Sequence, residues 1–543
     1  MSDVDRLLPR RLRRKRGKRI LIVIADHRRQ VTRLQISRTR WRRAPLVTLV
    51  GRTTRELHEE LAALNQARLV VDVRARSGRQ QLDAFARCFF HLGPGDTWVA
   101  LRELAPVRRR EPLVDVARRL RGPEGRRGLE PQWRAHHRAT AESRVTRRLV
   151  VVVKRGRHLL RLREKGLVEL LRTREPRLRV SVVEELPGGL LRSGRLATEH
   201  GGSPEPRVPD TVSYPPHTVR RYEGRPLHLP KAGLVHTRRS LLPDSFRWHL
   251  AAQTLSPGLR YVDEHFSRVE RMPRGERLDG SYFLLLYSNT GHFGHLMTEA
   301  LAKLWGWPAA KAADPSLKVL CRLRPSGTDS PETRPETTLL TAYGIAREDI
   351  VWVDGPVTVT SLVGCTPMWH NTPPFYVHPR IHETWTRLRE GLVGSEPGSG
   401  GSRIFVTRRE GNRPCSNVED VERLFAAHGF TIVSPKRLTL AEQAAAFADA
   451  RVVAGFGGAG MFNLLYSHRV EDVIVLNQWA YHARNEHLFA TAHGARAHYF
   501  WSRPQVDNPD DGRRLYRAHQ SGWTFDFGTN AEPLSALLES LSD

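Results

Sequence analysis

The sequence has 543 residues and a formal net charge of +30, from 87 basic and 57 acidic side chains. This length predicts about two or three domains with large cores. The four cysteines form no CxxC pair, which argues against a zinc site or a disulfide framework and favours a reduced cytosol. No apolar run approaches the roughly 18 residues that cross a bilayer, so no transmembrane helix is expected.

The positive charge has two explanations. It predicts attraction to nucleic acid, anionic lipid or an acidic polymer. However, only nine of the 87 basic residues are Lys, and the heavy use of Arg and Ala indicates a GC-rich bacterial genome, so part of the charge follows from composition. Residues 10–19, RRLRRKRGKR, hold eight basic side chains. They form either a solvated tail or an anchor worth about 1 kcal/mol per charge at an anionic membrane.

The first 200 residues predict a small α/β domain. Residues 1–30 hold the basic tail and a first strand at Ile20–Ala25, which is too short for a signal-peptide core. Residues 31–200 form the domain itself, and three apolar strands alternate with two helices in 45–105. Asp72 ends the second of these strands. An acidic residue at this position has two interpretations: it belongs to a pocket for a nucleotide or methyl donor, or the domain has only a structural or acceptor-side role.

The chain between this unit and the next is predicted to be irregular. An Arg-rich connector covers 106–148, a strand follows at Leu149–Lys154, and an amphipathic helix is predicted over Leu159–Thr173. Residues 187–217 are rich in Gly, Ser and Pro, which predicts the clearest domain boundary of the chain.

Residues 218–395 predict a second α/β domain, which begins with an apolar strand at Tyr282–Tyr287 and a helix over His292–Trp305. His295 and Glu299 lie four residues apart and share a helical face. A carboxylate there can orient the imidazole, and a histidine that titrates near neutrality suits a general base. A structural polar cluster, or a metal site that includes His292, is also compatible with this spacing.

After a Gly/Ser linker at 396–402, strands and helices alternate through 403–543, which predicts a parallel sheet with helices on both faces. The predicted strands are Arg403–Thr407, Thr431–Val433, Arg451–Ala454, Asp472–Leu476 and Arg496–Trp501. The predicted helices are one capped by Asn417 and those at Leu440–Ala450, Met461–Ser467, Leu488–His493 and Leu534–Leu541.

Two loops leave strand carboxyl ends in this last domain, where ligands bind in such sheets. One carries Arg408, Arg409 and Arg413, and the other is GFGGAG at Gly455–Gly460 ahead of a helix. Glycines admit phosphate close to backbone N–H groups, a helix N-terminus favours negative charge, and guanidinium groups add bidentate contacts. The two loops together predict a site for a diphosphate-bearing ligand.

The same glycine loop fits the GxGxxG pattern of dinucleotide-binding proteins. That site expects an acidic residue at the end of the following strand, and here the strand ends in Leu476-Asn477-Gln478. A tight structural turn is a further interpretation. The DxD pattern, a pair of carboxylates that can hold a metal ion and a diphosphate together, occurs only at Asp3–Asp5.

The C-terminal half resembles glycosyltransferase family 61. The resemblance is carried by Arg408-Arg409 ahead of Asn417, by Gly429-Phe430, by LTLAEQ ending at Gln443, and by GGAGMFN, with a matching His295/Glu299 helix start. At the last motif the family usually shows His-Gly-Ala-Gly-Leu-Thr-Asn, and this chain has Gly457 and Phe462 at the His and Thr positions. The resemblance covers roughly residues 240–510 and implies a GT-B-like pair of Rossmann-like domains behind the smaller N-terminal α/β domain.

Taken with these patterns, the resemblance implies a metal-independent, inverting glycosyltransferase of cell-envelope or polysaccharide synthesis, with 218–395 on the acceptor side and 403–543 holding the nucleotide sugar. No cofactor is expected beyond the nucleoside-diphosphate sugar as co-substrate. His295 and Glu299 are the predicted catalytic residues. The predicted donor-binding residues are Arg408, Arg409, Arg413, Asn417, Gly457, Gly458, Ala459, Gly460 and Asn463.

The expected partners are the nucleotide-sugar donor and a glycan or other hydroxyl acceptor, without specific nucleic acid. The expected location is the cytoplasm, with peripheral contact at the inner face of an anionic membrane. The alternatives are a non-catalytic basic protein that binds nucleic acid or an anionic polymer, and a dinucleotide-binding oxidoreductase.

Overall fold

The computed structural model describes residues 20–32, 45–64, 67–74, 78–102, 112–120, 130–193, 195–202, 204–230, 233–245, 258–269, 275–323, 330–394, 400–509 and 513–541. The basic stretch 10–19 and most of the predicted linker 396–402 lie outside these residues. The chain divides into two compact units. The first comprises Met1–Val180, Glu223–His228 and Leu234–Pro273, and the second comprises Ser181–Tyr222, Leu229–Gly233 and Arg274–Asp543.

A six-stranded sheet forms the core of the first unit, with four parallel strands followed by two antiparallel ones. In spatial order the strands are Leu46–Val50, Ile20–Ala25, Ala67–Asp72, Thr97–Leu101, Leu149–Lys154 and Thr140–Val145. Val23, Val71 and Val99 are buried. The four inner strands are near-continuous apolar runs because both faces of the sheet are covered there.

The helices of the first unit connect these strands and are mostly short. They are Arg28–Thr32, Thr54–Ala63, Gly78–Cys88, Pro112–Arg119, Arg134–Arg138 and Leu167–Arg174, with 3₁₀ turns at Phe89–His91 and Pro131–Trp133. The stretch 106–148, predicted as a connector, therefore contains regular structure in its described part. Asp72 accepts hydrogen bonds from Arg74 Nε at 3.0 Å and Nη2 at 2.7 Å. Both carboxylate oxygens are thus used within the protein, which favours the structural interpretation of Asp72.

The predicted helix over Leu159–Thr173 is wrong in its first part. Leu159–Arg161 is a buried strand of a small sheet, and the helix begins only at Leu167. Gly166 precedes the helix in the left-handed conformation, with φ of 71°, so it separates the two elements. The strands of the small sheet are, in spatial order, Ser240–Leu241, Leu159–Arg161, Phe266–Val269 and Leu259–Tyr261.

The second unit contains two larger sheets. The first, here called the central sheet, has a parallel core and runs in the spatial order Ile350–Val353, Lys318–Arg322, Ser281–Leu284, Val357–Cys365, His217–Leu229 and Arg179–Leu186, with Glu276–Arg277 paired to Val357–Cys365. Two further strand pairs join Gly189–Arg192 with Thr211–Tyr214 and Trp369–His370 with Tyr376–Val377.

The second sheet, here called the C-terminal sheet, consists of six parallel strands. Their spatial order is Leu196–His200, Arg496–Ser502, Asp472–Gln478, Val452–Phe456, Arg403–Val406 and Thr431–Val433. Five of them were predicted within two residues at either end. The sixth, the edge strand Leu196–His200, comes from a stretch predicted as a boundary.

The helices of the second unit cover both of its parallel sheets. They are Phe293–His295, Trp307–Ala313, Pro335–Ala342, Ile381–Val393, Val418–Ala427, Leu440–Ala448, Asn485–His493, Tyr516–His519 and Phe527–Ser540. Five 3₁₀ segments lie among them in the described residues, at Leu301–Gly306, Pro331–Thr333, Arg347–Asp349, Pro435–Arg437 and Ala459–Tyr466. The predicted α/β class is confirmed by this alternation. No helix of the described residues is long and apolar enough to span a bilayer.

Candidate functional site

His295 and Glu299 form a hydrogen-bonded pair at the carboxyl end of the central strand Ser281–Leu284. His295 Nδ1 contacts Glu299 Oε1, and Glu299 is 2% exposed. Ser288 fixes the carboxylate from the other side, with its backbone N and its Oγ each 3.1 Å from Oε2. The carboxylate therefore orients the imidazole through Nδ1, and the other ring nitrogen, Nε2, faces away from Glu299.

The Nε2 atom of His295 faces an amide. Asn289 Nδ2 lies 3.1 Å from it, at the exposed end of the loop that follows the strand. An amide N–H can only donate, so Nε2 accepts from Asn289, as it would accept from the hydroxyl of a substrate.

The helix predicted over His292–Trp305 is irregular where the pair lies. Phe293–His295 is a single α-turn, Leu296–Ala300 is a π-helical turn, and Leu301–Gly306 is 3₁₀. Such π-turns inside helices occur frequently at functional sites. The sequence pattern predicted the helix but not this change of winding.

His292 stands beside the pair, with ring centroids of His292 and His295 4.8 Å apart. The pKa of His292 lies below its usual value because of the packing around the ring and the nearby His295, and Arg413 adds to this effect while Glu299 opposes it. Both nitrogens of His295 are already engaged. Among the described residues no group of three or more His, Cys, Asp or Glu is arranged to hold a metal ion, so the geometry gives no support to the metal interpretation of this cluster.

The glycine turn follows the buried strand Val452–Phe456 and differs from the prediction in what comes next. Ala459–Tyr466 is a 3₁₀ helix, not an α-helix. Gly458 has φ of 142°, which other residues rarely adopt, and its N–H donates to Glu486 Oε1 at 2.7 Å. Gly457 donates its N–H to Leu476 O at 3.1 Å. These two amides are satisfied within the protein, so side chains around the turn carry most of its capacity to bind an anion.

Arg408 and Arg413 converge on Gly458. A Cβ built on Gly458 would lie 2.9 Å from Arg408 Nη1 and 3.1 Å from Arg413 Nη2. Arg408 donates to Gly457 O at 2.9 Å and to Arg413 O at 3.2 Å, while the Nε atoms of both arginines are buried without a partner among the described residues. Burial and the neighbouring Arg413 lower the pKa of Arg408 to about 10. Two crowded guanidinium groups favour an added anion.

Arg413 is held in place by its own backbone. Its φ of 56° is positive, which among the described residues is otherwise seen only at glycines. Gln520 O accepts from Arg413 N at 3.3 Å, and Trp523 Nε1 donates to Arg413 O at 3.2 Å. The guanidinium carbon lies 4.0 Å from the centre of the Tyr481 ring. The loop is therefore preorganised, with the charge stacked on an aromatic face.

Arg409 points elsewhere. It donates to Glu422 Oε1 at 3.2 Å and also contacts Glu419, on the helix Val418–Ala427, and its side chain is 48% exposed. Of the three predicted arginines, Arg408 and Arg413 therefore lie at the glycine turn. Arg409 instead pairs with the acidic residues of the helix Val418–Ala427.

The two predicted asparagines have structural roles. Asn417 precedes its helix as predicted but does not cap it, because its amide pairs with the backbone of Phe525 at 2.8 and 3.0 Å. Asn463 is fully buried and donates to Gln443 Oε1 at 2.9 Å, which ties the 3₁₀ helix to Leu440–Ala448. Ala459 and Gly460 stay at the turn itself, and a Cβ on Gly460 would lie 3.3 Å from Val406 Cγ1.

Glu486 and Tyr481 were not predicted. Both follow the strand Asp472–Gln478 and close the other side of the glycine turn, with Tyr481 under Arg413 and Glu486 against Gly458. The available signal was their position, an acidic residue in the first turn of a helix after a strand carboxyl end.

The histidine pair and the glycine turn are neighbours in space. A Cβ built on Gly294 would lie 3.1 Å from Ala459 Cβ and 3.2 Å from the Phe462 ring. The helix start of the central sheet therefore packs directly on the turn of the C-terminal sheet. An open cavity of about 590 Å³ between Pro335–Ala342, Ile381–Val393 and Leu440–Ala448 shares no residue with either cluster.

Comparison with known proteins identifies one family. Residues 293–474 match the family described as Glycosyltransferase 61, and no curated protein matches the chain. Among solved structures, MycE methyltransferase from the mycinamycin biosynthetic pathway in complex with Mg, SAH and mycinamycin VI shares 12% identity over 27% of this chain and 48% of its own, with a TM-score of 0.20. A second MycE structure, with Mg and SAH, shares 15% sequence identity with this chain. The match covers 27% of this chain and 44% of the MycE chain, with a TM-score of 0.20.

The chain spans less than half the length of these methyltransferase structures. The family match begins two residues before His295 and includes the arginine loop and the glycine turn, and it ends before Glu486. It supports a glycosyltransferase, and it confirms for residues 293–474 the resemblance to glycosyltransferase family 61 that the sequence predicted.

Proposed function

We propose that the chain transfers a sugar from a nucleoside-diphosphate sugar to an acceptor hydroxyl with inversion at the anomeric carbon. The observation that supports this most is the contact of a His–Glu pair with a glycine turn flanked by two arginines, through Gly294 and Ala459. Residues 218–395 would present the acceptor and residues 403–543 the donor, in a GT-B-like arrangement. The expected biological role is bacterial cell-envelope or polysaccharide synthesis.

The donor diphosphate would lie at Gly458, between Arg408 and Arg413. Both guanidinium groups are crowded there, and Glu486 is the carboxylate next to them. A diphosphate gains charge on its leaving oxygen as the glycosidic bond breaks, so donors already aimed at that oxygen lower the barrier. We expect the arginines to supply this stabilisation and the reaction to need no metal or other cofactor.

The acceptor hydroxyl would replace the Asn289 amide at Nε2 of His295. His295 takes the hydroxyl proton while the oxygen attacks the anomeric carbon and the diphosphate leaves with the bonding electron pair. Glu299 stabilises the imidazolium that forms, since Oε1 already accepts from Nδ1 and Ser288 holds the other oxygen. A single displacement of this kind inverts the configuration.

The competing function is a basic binding protein without catalysis. Incubation of the purified protein with UDP-, GDP- and dTDP-sugars distinguishes the two, because a transferase releases nucleoside diphosphate, slowly to water or faster with a hydroxyl acceptor. A thermal shift with one of these sugars, which at about 100 times Kd adds roughly 2.7 kcal/mol, identifies the donor. A protein that neither binds nor turns over any of them is not a sugar transferase of this kind.

The charge distribution supports a second part of the proposal, a cytoplasmic location at an anionic membrane surface. Residues 1–180 contain 47 basic and 18 acidic side chains. The remaining 363 residues contain 40 basic and 39 acidic side chains. A genome-wide bias toward Arg would affect both parts alike. The positive charge is therefore a property of the N-terminal part, where each basic residue near an anionic lipid surface is worth about 1 kcal/mol.

A sedimentation assay tests this membrane contact. The full chain should bind phosphatidylserine vesicles in low salt, and a chain that lacks residues 1–19 should bind more weakly with unchanged turnover on a soluble acceptor. Equal binding to neutral and anionic vesicles would refute the electrostatic contact.

A further inference from the structure

Glu486 is an acidic residue buried against the candidate donor site. It lies in the first turn of Asn485–His493 and is fully buried. Oε1 accepts the Gly458 N–H at 2.7 Å, and Oε2 has no hydrogen-bond partner among the described residues. A buried carboxylate oxygen without a partner is costly and therefore rare.

The charged groups that face Glu486 come from several elements. Arg408 and Arg413 approach it from the arginine loop and favour its ionised form, while burial raises the pKa of Glu486 to about 7 in spite of them. The phenols of Tyr481 and Tyr499 also lie near it. The carboxyl group therefore changes its charge in the physiological pH range.

The balance of charge around the turn changes when a donor binds. Without ligand, two guanidinium groups face one carboxylate, so Glu486 serves as their internal anion. A diphosphate brings about two negative charges to the same guanidinium groups. Because like charges disfavour ionisation, the pKa of a neighbouring carboxyl group rises when the diphosphate enters.

We propose that Glu486 is a positioning residue of the donor site, which holds the Gly458 turn and the arginine pair before binding and takes up one proton from solvent when the donor diphosphate enters. This inference rests on the proposed function. As a neutral acid, Glu486 keeps Oε1 as the acceptor for Gly458 N–H, and the new O–H on Oε2 can donate to the incoming phosphate.

The sign of the pH dependence follows from linkage. If the bound form has the higher pKa, affinity for a non-titrating anion is greatest below the pKa of the free protein. It then falls by up to about tenfold per pH unit through the range between the two pKa values. We therefore expect weaker donor binding at pH 8.5 than at pH 6.5.

Isothermal titration calorimetry measures this directly. Sulfate and UDP-glucose are suitable probes, because neither has a proton that titrates near neutral pH. At pH 7.5, titrations in PIPES, HEPES and Tris should show uptake of about 0.5–0.8 proton per bound anion by the wild-type protein. Glu486→Gln keeps the acceptor for Gly458 N–H and should bind without proton uptake and with little pH dependence.

A matched control is Glu422→Gln, which removes the carboxylate that pairs with Arg409 outside the turn. It should keep the proton uptake of the wild type. The charge of Arg413 also lowers the pKa values of His292 and His519. Undiminished proton uptake by Glu486→Gln would therefore assign the proton to a histidine and overturn the inference.

The wild-type protein alone provides a second test if Glu486→Gln does not fold. Binding of sulfate or UDP-glucose without proton uptake at pH 7.5 overturns the role of Glu486 and leaves the proposed function intact. Failure of the wild-type protein to bind sulfate or any of the UDP-, GDP- and dTDP-sugars overturns both proposals, because the donor site itself is then absent.

Discussion

Replacing Arg408 with Ala should lower kcat by about 10²–10³-fold, the scale of losing one preorganised donor to a developing oxyanion. The neighbouring Arg409→Ala should leave kcat within about threefold of wild type. The structure separates the two residues. Arg408 Nη1 lies at the glycine turn, 2.9 Å from Gly457 O, whereas Arg409 is 48% exposed and pairs with Glu422 and Glu419.

The loss of kcat expected for Arg408→Ala corresponds to about 2.7–4 kcal/mol of transition-state stabilisation. Arg408→Lys should recover little of it, because a single ammonium cannot reproduce both contacts of the guanidinium fork with Gly457 O and Arg413 O. Arg423→Ala is a further control, since Arg423 is 71% exposed and contacts Asp420 on its own helix.

The assay is release of nucleoside diphosphate at saturating donor, with thermal unfolding of each variant to establish that it is folded. A folded Arg408→Ala enzyme with normal kcat would refute the assignment of the leaving phosphate to this turn. Equal losses in Arg408→Ala, Arg409→Ala and Arg423→Ala would show that the basic loop acts only through general charge.

Three further predictions concern the same site. Gly458→Val should abolish binding of the donor in a folded protein, because its Cβ would lie 2.9 Å from Arg408 Nη1 at a φ of 142°, and retained donor affinity by calorimetry would show that the turn is only structural. Glu299→Gln should lower kcat by about 10²–10⁴-fold with little change in donor Kd, because it removes the carboxylate that stabilises the His295 imidazolium. Loss of donor binding instead would place His295 and Glu299 in the donor site. Activity should persist in EDTA because arginines neutralise the diphosphate, and full loss that manganese restores would favour a metal at His292, His295 and Glu299.

The sequence alone was sufficient for the elements whose patterns are local. The apolar runs of Ile20–Ala25, Leu149–Lys154 and Thr431–Val433 form strands at the predicted residues. A short run of apolar, β-branched residues with turn residues at its ends is enough to form a strand, so the position of the strand is determined by adjacent residues. The spacing of His295 and Glu299 was also sufficient, because four residues along a helix bring two side chains to one face.

The tertiary structure decided which predicted side chains reach the site. Arg408 and Arg409 are adjacent in sequence, yet one reaches Gly458 and the other reaches Glu422. Asn463 has the residue type of a donor ligand, but its partner Gln443 lies on another helix.

Contacts between distant segments were also beyond the sequence. The strand Leu196–His200 completes a sheet whose other strands begin some 200 residues later, and Glu486 reaches Gly458 from the next strand–helix unit. Such pairings depend on which surfaces remain unpaired after the sheets and helices have assembled. No local pattern encodes them, because the free energy of a long-range contact depends on both partners and on the chain that connects them.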